Sequence, residues 1–271
     1  NMILRLGTRG SRLALWQANH VKDRLEAAHA GLRVDIEILH TTGDRILDVP
    51  LARIGDKGLF TKELDQAILD GRVDLAVHSL KDVPTRLSEG LAMPAVLGRE
   101  DPRDVWIPAP GGPPAMGDLP PGARVGTSSL RRRAQLLSLR PDLEVLDLRG
   151  NLDTRLARLG QDRYDAAILA AAGIVRLGRA DLVGQILEPP AWLPAAGQGA
   201  LAVTAREGDN VVAGLLRPLD HPETRQATTA ERAFLRELEG GCQIPIGALA
   251  RIERDALHLH RSGPALDGHF F

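Results

Sequence analysis

Arg124-Val125-Gly126-Thr127-Ser128-Ser129-Leu130-Arg131-Arg132-Arg133 reads as a strand, a Gly-Thr turn, a capping serine and a helix that opens on arginines. Arg124–Gly126 is the strand, and Ser128 or Ser129 caps a helix to about Leu139. The N-terminus repeats the pattern. Ile3–Leu6 is a short apolar strand, Gly7-Thr8 the turn, and Ser11 the cap of a helix to about His29, with Gly31 past its end. The parallel continues outward: Val34–Leu39 answers to Leu143–Leu148, and Asp74-Leu75-Ala76-Val77 to Asp165-Ala166-Ala167-Ile168. The chain therefore reads as a degenerate duplication, two α/β lobes of similar design.

Two lobes enclose a cleft, the usual place for a ligand. In each lobe a Gly-Thr turn feeds a helix N-terminus, where free N–H groups and the positive dipole end favour an anion. The architecture thus predicts an anionic ligand between the lobes.

The remaining segments fit around this frame. Thr41 to Gly58 is a polar loop, Thr61–Asp70 a helix stopped by Gly71, and Val73–Val77 a buried strand ending in the loop Lys81-Asp82-Val83-Pro84. Pro108 to Gly122 is a Pro/Gly-rich linker. Asn151 caps a helix to Leu159, and Tyr164–Ala170 is a third strand. Gln198–Arg206 is a strand that crosses back to the first lobe. His221–Glu239 is an amphipathic helix with Ala227, Ala230, Phe234 and Leu238 on one stripe, and it opens a smaller third domain. The expected division is 1–98 with 198–218 as lobe 1, 99–197 as lobe 2, and 219–271 as the C-terminal domain.

Composition narrows the function. A length of 271 residues exceeds one ordinary core, and 44% hydrophobic content can fill several. Net charge is -1, which argues against a general nucleic-acid binder. No apolar run is long enough to span a bilayer. Asn1 to Gly10 lacks the pattern of a signal peptide, and the single cysteine fits a reducing cytoplasm. No Cys pair or His-x-x-x-His points to zinc, and Gly7-Thr8-Arg9-Gly10 is neither a Walker loop nor a dinucleotide fingerprint. Lysine occurs four times, at Lys22, Lys57, Lys62 and Lys81, against 30 arginines. A genomic bias accounts for most of that total but not for where particular arginines sit. Arg131 and Arg132, Arg149 and Arg155, Arg9, and Arg176 recur where strands hand over to helices, the rim of the expected cleft. Their rigid forks suit a ligand with many carboxylates.

Two further residues carry candidate chemistry. Cys242 lies in Gly240-Gly241-Cys242-Gln243-Ile244-Pro245. A lone cysteine is ordinarily a small buried hydrophobe, but paired glycines leave this thiol unencumbered, as covalent use requires. Asp82 follows a strand within His78-Ser79-Leu80-Lys81-Asp82-Val83-Pro84. A carboxylate there points into the cleft of an α/β lobe and can act in acid–base work or stabilise a cation; the plainer reading is a polar turn.

His78–Pro84, Gly126–Arg132, Leu148-Arg149-Gly150-Asn151, Gly197-Gln198-Gly199-Ala200 and Gly240–Gly247 together resemble the signatures of the porphobilinogen deaminase (hydroxymethylbilane synthase) family, in its order and spacing, from Leu4 to about Ile252. The resemblance implies an α/β protein of three domains: two periplasmic-binding-protein-like lobes with a central cleft, and a smaller α+β C-terminal domain. It implies a transferase that adds four porphobilinogens, each losing ammonia, to a dipyrromethane cofactor held by a thioether at Cys242. Hydrolysis then frees hydroxymethylbilane for tetrapyrrole (haem) biosynthesis. Asp82 would stabilise the cationic azafulvene-like species left when ammonia departs. Lys81, Asp82, Thr127, Ser128, Ser129, Arg131, Arg132, Arg155, Gly173 and Gln198 match cofactor positions. Arg9, Ser11, Arg149 and Arg176 match positions for the incoming substrate or chain elongation, and Lys57 a residue of the lid region. Arg53 stands where family members often have Lys. The family implies a cytoplasmic monomer that uses neither nucleic acid nor membrane. The competing reading is a non-catalytic two-lobe binder of an anionic solute.

Overall fold

The computed structural model describes residues 2–45, 58–161, 163–238 and 245–263. Its first sheet contains β1 (Met2–Thr8), β2 (Leu32–Ile38), β3 (Leu75–Ser79), β4 (Leu91–Val96) and β10 (Leu201–Arg206), in the order β2-β1-β3-β10-β4. Its second contains β5 (Asp104–Pro108), β6 (Arg124–Gly126), β7 (Glu144–Leu146), β8 (Ala166–Ala170) and β9 (Gln185–Leu187), in the order β7-β6-β8-β5-β9. Four strands of each sheet run the same way; β10 in the first and β5 in the second run antiparallel to both neighbours.

The duplication holds down to the register. Gly7 lies opposite Ala76 across β1/β3, and Gly126 opposite Ala167 across β6/β8. Just upstream, the Arg5 amide donates to Asp74 at 2.8 Å, and the Arg124 amide to Asp165 at 2.6 Å. In both cases the arginine side chain returns to the same carboxylate. The chain leaves the first sheet after β4, enters the second as β5, and returns as β10. Each strand that crosses fills the fourth place of its sheet, so the two crossings run side by side under the cleft.

Helices α1 (Arg12–Ala28), α2 (Thr42–Arg45), α3 (Lys62–Leu69) and α7 (Asn210–Leu216) accompany the first sheet; α4 (Leu130–Leu139), α5 (Leu152–Leu159) and α6 (Ala171–Arg176) the second. The expected caps form. Ser11 Oγ accepts from the Ala14 amide, Ser129 Oγ (rather than Ser128) from Arg132, and Asn151 Oδ1 from Thr154. Cores of Leu, Val, Ile and Ala pack on both faces of each sheet, with Leu6, Leu25 and Leu75 central in one and Trp106, Leu136 and Ile168 in the other.

Helix α8 (Pro222–Leu238) and the hairpin of β11 (Gly247–Glu253) and β12 (Ala256–Ser262) follow. The expected apolar stripe of α8 is corrected here. Its buried face is Thr224, Ala227, Thr228 and Glu231, whereas Leu238 is exposed. Thr224 Oγ1 accepts from the Arg99 amide and Glu231 from the Arg99 guanidinium and the Gly197 amide, so polar side chains on this face satisfy groups of the two crossings. The strand expected at Val73–Val77 is shifted to Leu75–Ser79, and the one expected from Gln198 starts at Leu201. Strands β4, β5 and β9 and helices α6 and α7 carry no clear periodicity and emerge only in the structure.

Candidate active site

The cleft contains a cavity of about 500 Å³. Its walls come from strand ends and helix starts of both lobes. From lobe 1 they include Arg9 and Ser11 after β1, and Lys81 and Asp82 after β3. From lobe 2 they include Thr127, Ser128, Ser129 and Arg132 after β6, Arg149 and Arg155 around the start of α5, and Gly173 and Arg176 on α6. Gln198 closes it from the returning crossing. Thus thirteen of the sequence-expected site residues meet in one cavity. Arg131 is not on its wall: its guanidinium is buried against Asp104 and the Leu193 carbonyl, at 2.7 Å each. Lys57 and Cys242, like Arg53, lie outside the described residues.

Close packing sets the turn at β6. A Cβ on Gly126 would lie 2.8 Å from Leu148 and 2.9 Å from Tyr164, so only glycine brings the Thr127–Ser129 turn to this depth. The turn is braced by its own hydroxyls: Thr127 Oγ1 accepts from the Ser129 amide, and Ser128 Oγ from the Leu148 amide. Where the chain crosses back, Gly199 has φ +90°, and a Cβ there would sit 2.4 Å from the Glu100 carbonyl of the other crossing.

Charge is the dominant feature of the cavity. Six cations line it, Arg9, Lys81, Arg132, Arg149, Arg155 and Arg176, against the carboxylates Asp44 and Asp82. Arg9 is held by Asp44 and lies 4.4 Å over the Phe60 ring. Burial pushes the Asp44 carboxyl up, but Arg9 and Thr41 outweigh it and bring it below the usual range. Other cations are steadied by neutral oxygens. Arg155 Nε donates to the Gly150 carbonyl at 2.8 Å. Arg176 donates to Gln17 Oε1 at 3.2 Å and to the Gly199 carbonyl at 2.7 Å. Burial lowers the pKa of each of these two arginines to about 10. Lys81 is accessible inside the cleft but walled in by protein, and this desolvation, with Arg132 nearby, lowers its pKa to about 8. Cations enclosed this way are stabilised by an incoming anion.

Beneath the floor lies a residue that the sequence did not single out. Asp104 is fully buried, and its carboxylate accepts from Arg131 Nη1 (2.7 Å), Arg132 Nη2 (2.9 Å), Trp192 Nε1 (2.9 Å) and Gln198 Nε2 (2.8 Å). Burial alone would raise its pKa; Arg131 and Arg132 overcome that and hold it far below the normal range. Gln17, Asp44 and Phe60 were missed in the same way. An acid at a strand start, or a glutamine on a helix, carries no local mark of such a role.

A dipyrromethane fits this donor set. Each of its rings carries an acetate and a propionate, and the cavity offers excess cations and helix starts to match. Arg132 Nε is, in addition, a buried donor without a hydrogen-bond partner among the described residues.

Fold and site together define a two-lobed α/β protein whose cleft is built to hold a polycarboxylate. Comparisons carry this further. The family profile described as "Porphobilinogen deaminase, dipyromethane cofactor binding domain" matches residues 4–214, and "Porphobilinogen deaminase, C-terminal domain" matches 225–262. Curated proteins named porphobilinogen deaminase are 54% identical in Roseiflexus castenholzii (98% of this chain, 87% of that one) and 52% identical in Syntrophobacter fumaroxidans (98% and 85%). A TRAP periplasmic solute binding protein from Desulfovibrio salexigens superimposes at TM-score 0.49 and 12% identity, over 87% of this chain and 76% of that one. The chain belongs to the porphobilinogen deaminase family.

Proposed function

We propose that this chain condenses four porphobilinogen molecules, with loss of ammonia from each, onto a dipyrromethane attached at Cys242, and releases hydroxymethylbilane by hydrolysis. The observation that carries the reading is the surplus of enclosed cations in one interlobe cavity of a chain of this family. When bound, the dipyrromethane supplies the nucleophilic pyrrole terminus to which each unit is added. The residues of the chain bind and orient. Arg132, Arg155 and Lys81, with the Thr127–Ser129 hydroxyls, Gly173 and Gln198, hold the cofactor carboxylates, and Arg131 supports them from below through Asp104. Arg9, Ser11, Arg149 and Arg176 receive the acetate and propionate of the incoming substrate. The Asp82 carboxylate lines the same cavity and faces the positive charge that develops on the substrate as ammonia leaves. The same carboxylate can hold the proton given up by a pyrrole nitrogen or carbon.

A division into lobe 1 (1–98 and 198–218), lobe 2 (99–197) and a C-terminal domain (219–271) is part of this proposal. It is supported by the membership of the two sheets. Action as a cytoplasmic monomer that uses neither nucleic acid nor membrane is also part of the proposal. Among the described residues no helix is long and apolar enough to cross a membrane.

Intact mass of the denatured protein tests the reading. A mass above the sequence value by two linked pyrrole units, absent in Cys242→Ser, is expected, with further single-unit increments after brief exposure to porphobilinogen. Unchanged mass after that exposure would point instead to a non-catalytic binder of an anionic solute.

A further inference from the structure

The cavity is too small for the finished chain. Pockets of roughly 300–1,000 Å³ enclose one drug-sized ligand. A dipyrromethane is already such a ligand, and about 500 Å³ is present here. Four more rings, each with two carboxylates, exceed the space this cavity offers as it stands.

One face of α1 is built to receive them. Arg176, on the cavity wall, lies with its guanidinium 5.8 Å from the ring of Trp16. Trp16 is outside the wall and stacks flush on His20, with ring centroids 5.1 Å apart and planes within 9°. Burial, with Arg24 and Arg176 nearby, lowers the His20 pKa, so the imidazole stacks as the neutral ring near pH 7. Trp16, His20 and Arg24 follow one another at i, i+4 and i+8 on one helix face. The result is a column of two stacked rings beside the cavity, with ring edges open and Arg176 over the indole at its cavity end. Of the three tryptophans, Trp106 and Trp192 are 0% and 2% exposed, while Trp16 is 38% exposed.

We propose that the Trp16–His20 stack, between Arg176 and Arg24, is an external subsite for the later pyrrole units of the elongating chain. Their rings pack edge-to-face against the open edges of indole and imidazole, and their carboxylates pair with the two arginines. The inference rests on the deaminase reading above.

The test is to expose holoenzyme to limiting porphobilinogen, quench, and read the distribution of covalent intermediates by intact mass in wild type, Trp16→Ala, Trp16→Phe and Arg24→Gln. All three substitutions are at exposed positions, so folding is preserved. In Trp16→Ala the first two additions should proceed as in wild type, while intermediates bearing three and four added units persist roughly five- to tenfold longer, the scale of losing one edge-to-face aromatic contact. Trp16→Phe should restore most of the wild-type distribution, and Arg24→Gln should shift the same late species more weakly. In the wild type, quenching of tryptophan fluorescence by acrylamide should fall only as the third and fourth units are added. An unchanged distribution in Trp16→Ala would overturn the subsite. So would equal slowing of every addition, which would mark Trp16 as mere support for Arg176. Failure of the deaminase reading looks different: no mass increment in any variant, wild type included.

Discussion

At the scale of single residues, function and stability separate cleanly. Asp82 stands on the cavity wall and is not part of the core, so Asp82→Asn should fold normally and lose about 10²–10³-fold in kcat, read in a steady-state assay with circular dichroism as the folding control. Asp104 should behave the other way. Removing it as Asp104→Ala strands two buried arginines, and chemical unfolding should show a loss of about 3–5 kcal/mol. Lys81 adds a pH signature. In the ligand-free protein its pKa is about 8, below its ordinary 10.5. Raising pH through about 8 removes the charge, so uptake of the cofactor carboxylates by apo-enzyme should weaken on that alkaline side. Lys81→Arg, charged throughout, should flatten the profile. Between about 8 and 10.5 the unfolded chain keeps a proton that the folded chain has released, so this site makes stability rise with pH over that window.

At the scale of elements, the cleft depends on how strands hand over to helices. Gly126→Ala should cost about 1–3 kcal/mol, because its new methyl meets Leu148 and Tyr164 at the closest point of the β6 turn. It should also impair cofactor retention, since Thr127 to Ser129 move with it; melting temperature and the holo fraction by mass would report both. These handovers were the most legible part of the sequence. Ser11, Ser129 and Asn151 are local signals, and each caps the helix expected of it. Strands β4, β5 and β9 were illegible because their partners lie far away: Asp104 pairs with Ala170 and Leu187. The apolar stripe of α8 was misread for a related reason. Its inward groups are set by distant partners, Thr224 by the Arg99 amide and Glu231 by Arg99, Gly197 and Ala250, while Leu238 stays out.

At the scale of the whole molecule, both crossings between the lobes are gripped from α8. Glu231, fully buried, accepts from Arg99 at 2.6 and 2.9 Å on the outgoing crossing and from the Gly197 amide at 2.7 Å on the returning one. It also accepts from the Ala250 amide of β11 at 2.8 Å. Its neighbour Arg232 donates to the Val83 and Pro84 carbonyls, in the loop that carries Asp82. Glu231→Ala should therefore cost about 3–5 kcal/mol, with the hairpin of β11 and β12 becoming protease-sensitive before the lobes unfold.

The sequence by itself determined the paired lobes, the caps that end in the cleft, and the types of residue on its rim, because strand–turn–helix patterns and turn chemistry are local. Thirteen of the named residues meet in one cavity for that reason. Only the tertiary structure decided which groups stand behind them. Asp104 beneath Arg131 and Arg132, Gln17 against Arg176, and Glu231 across the two crossings act over separations of 27 to 159 residues. Their partners are set by burial and by the need to satisfy every enclosed charge, which no short stretch of sequence displays.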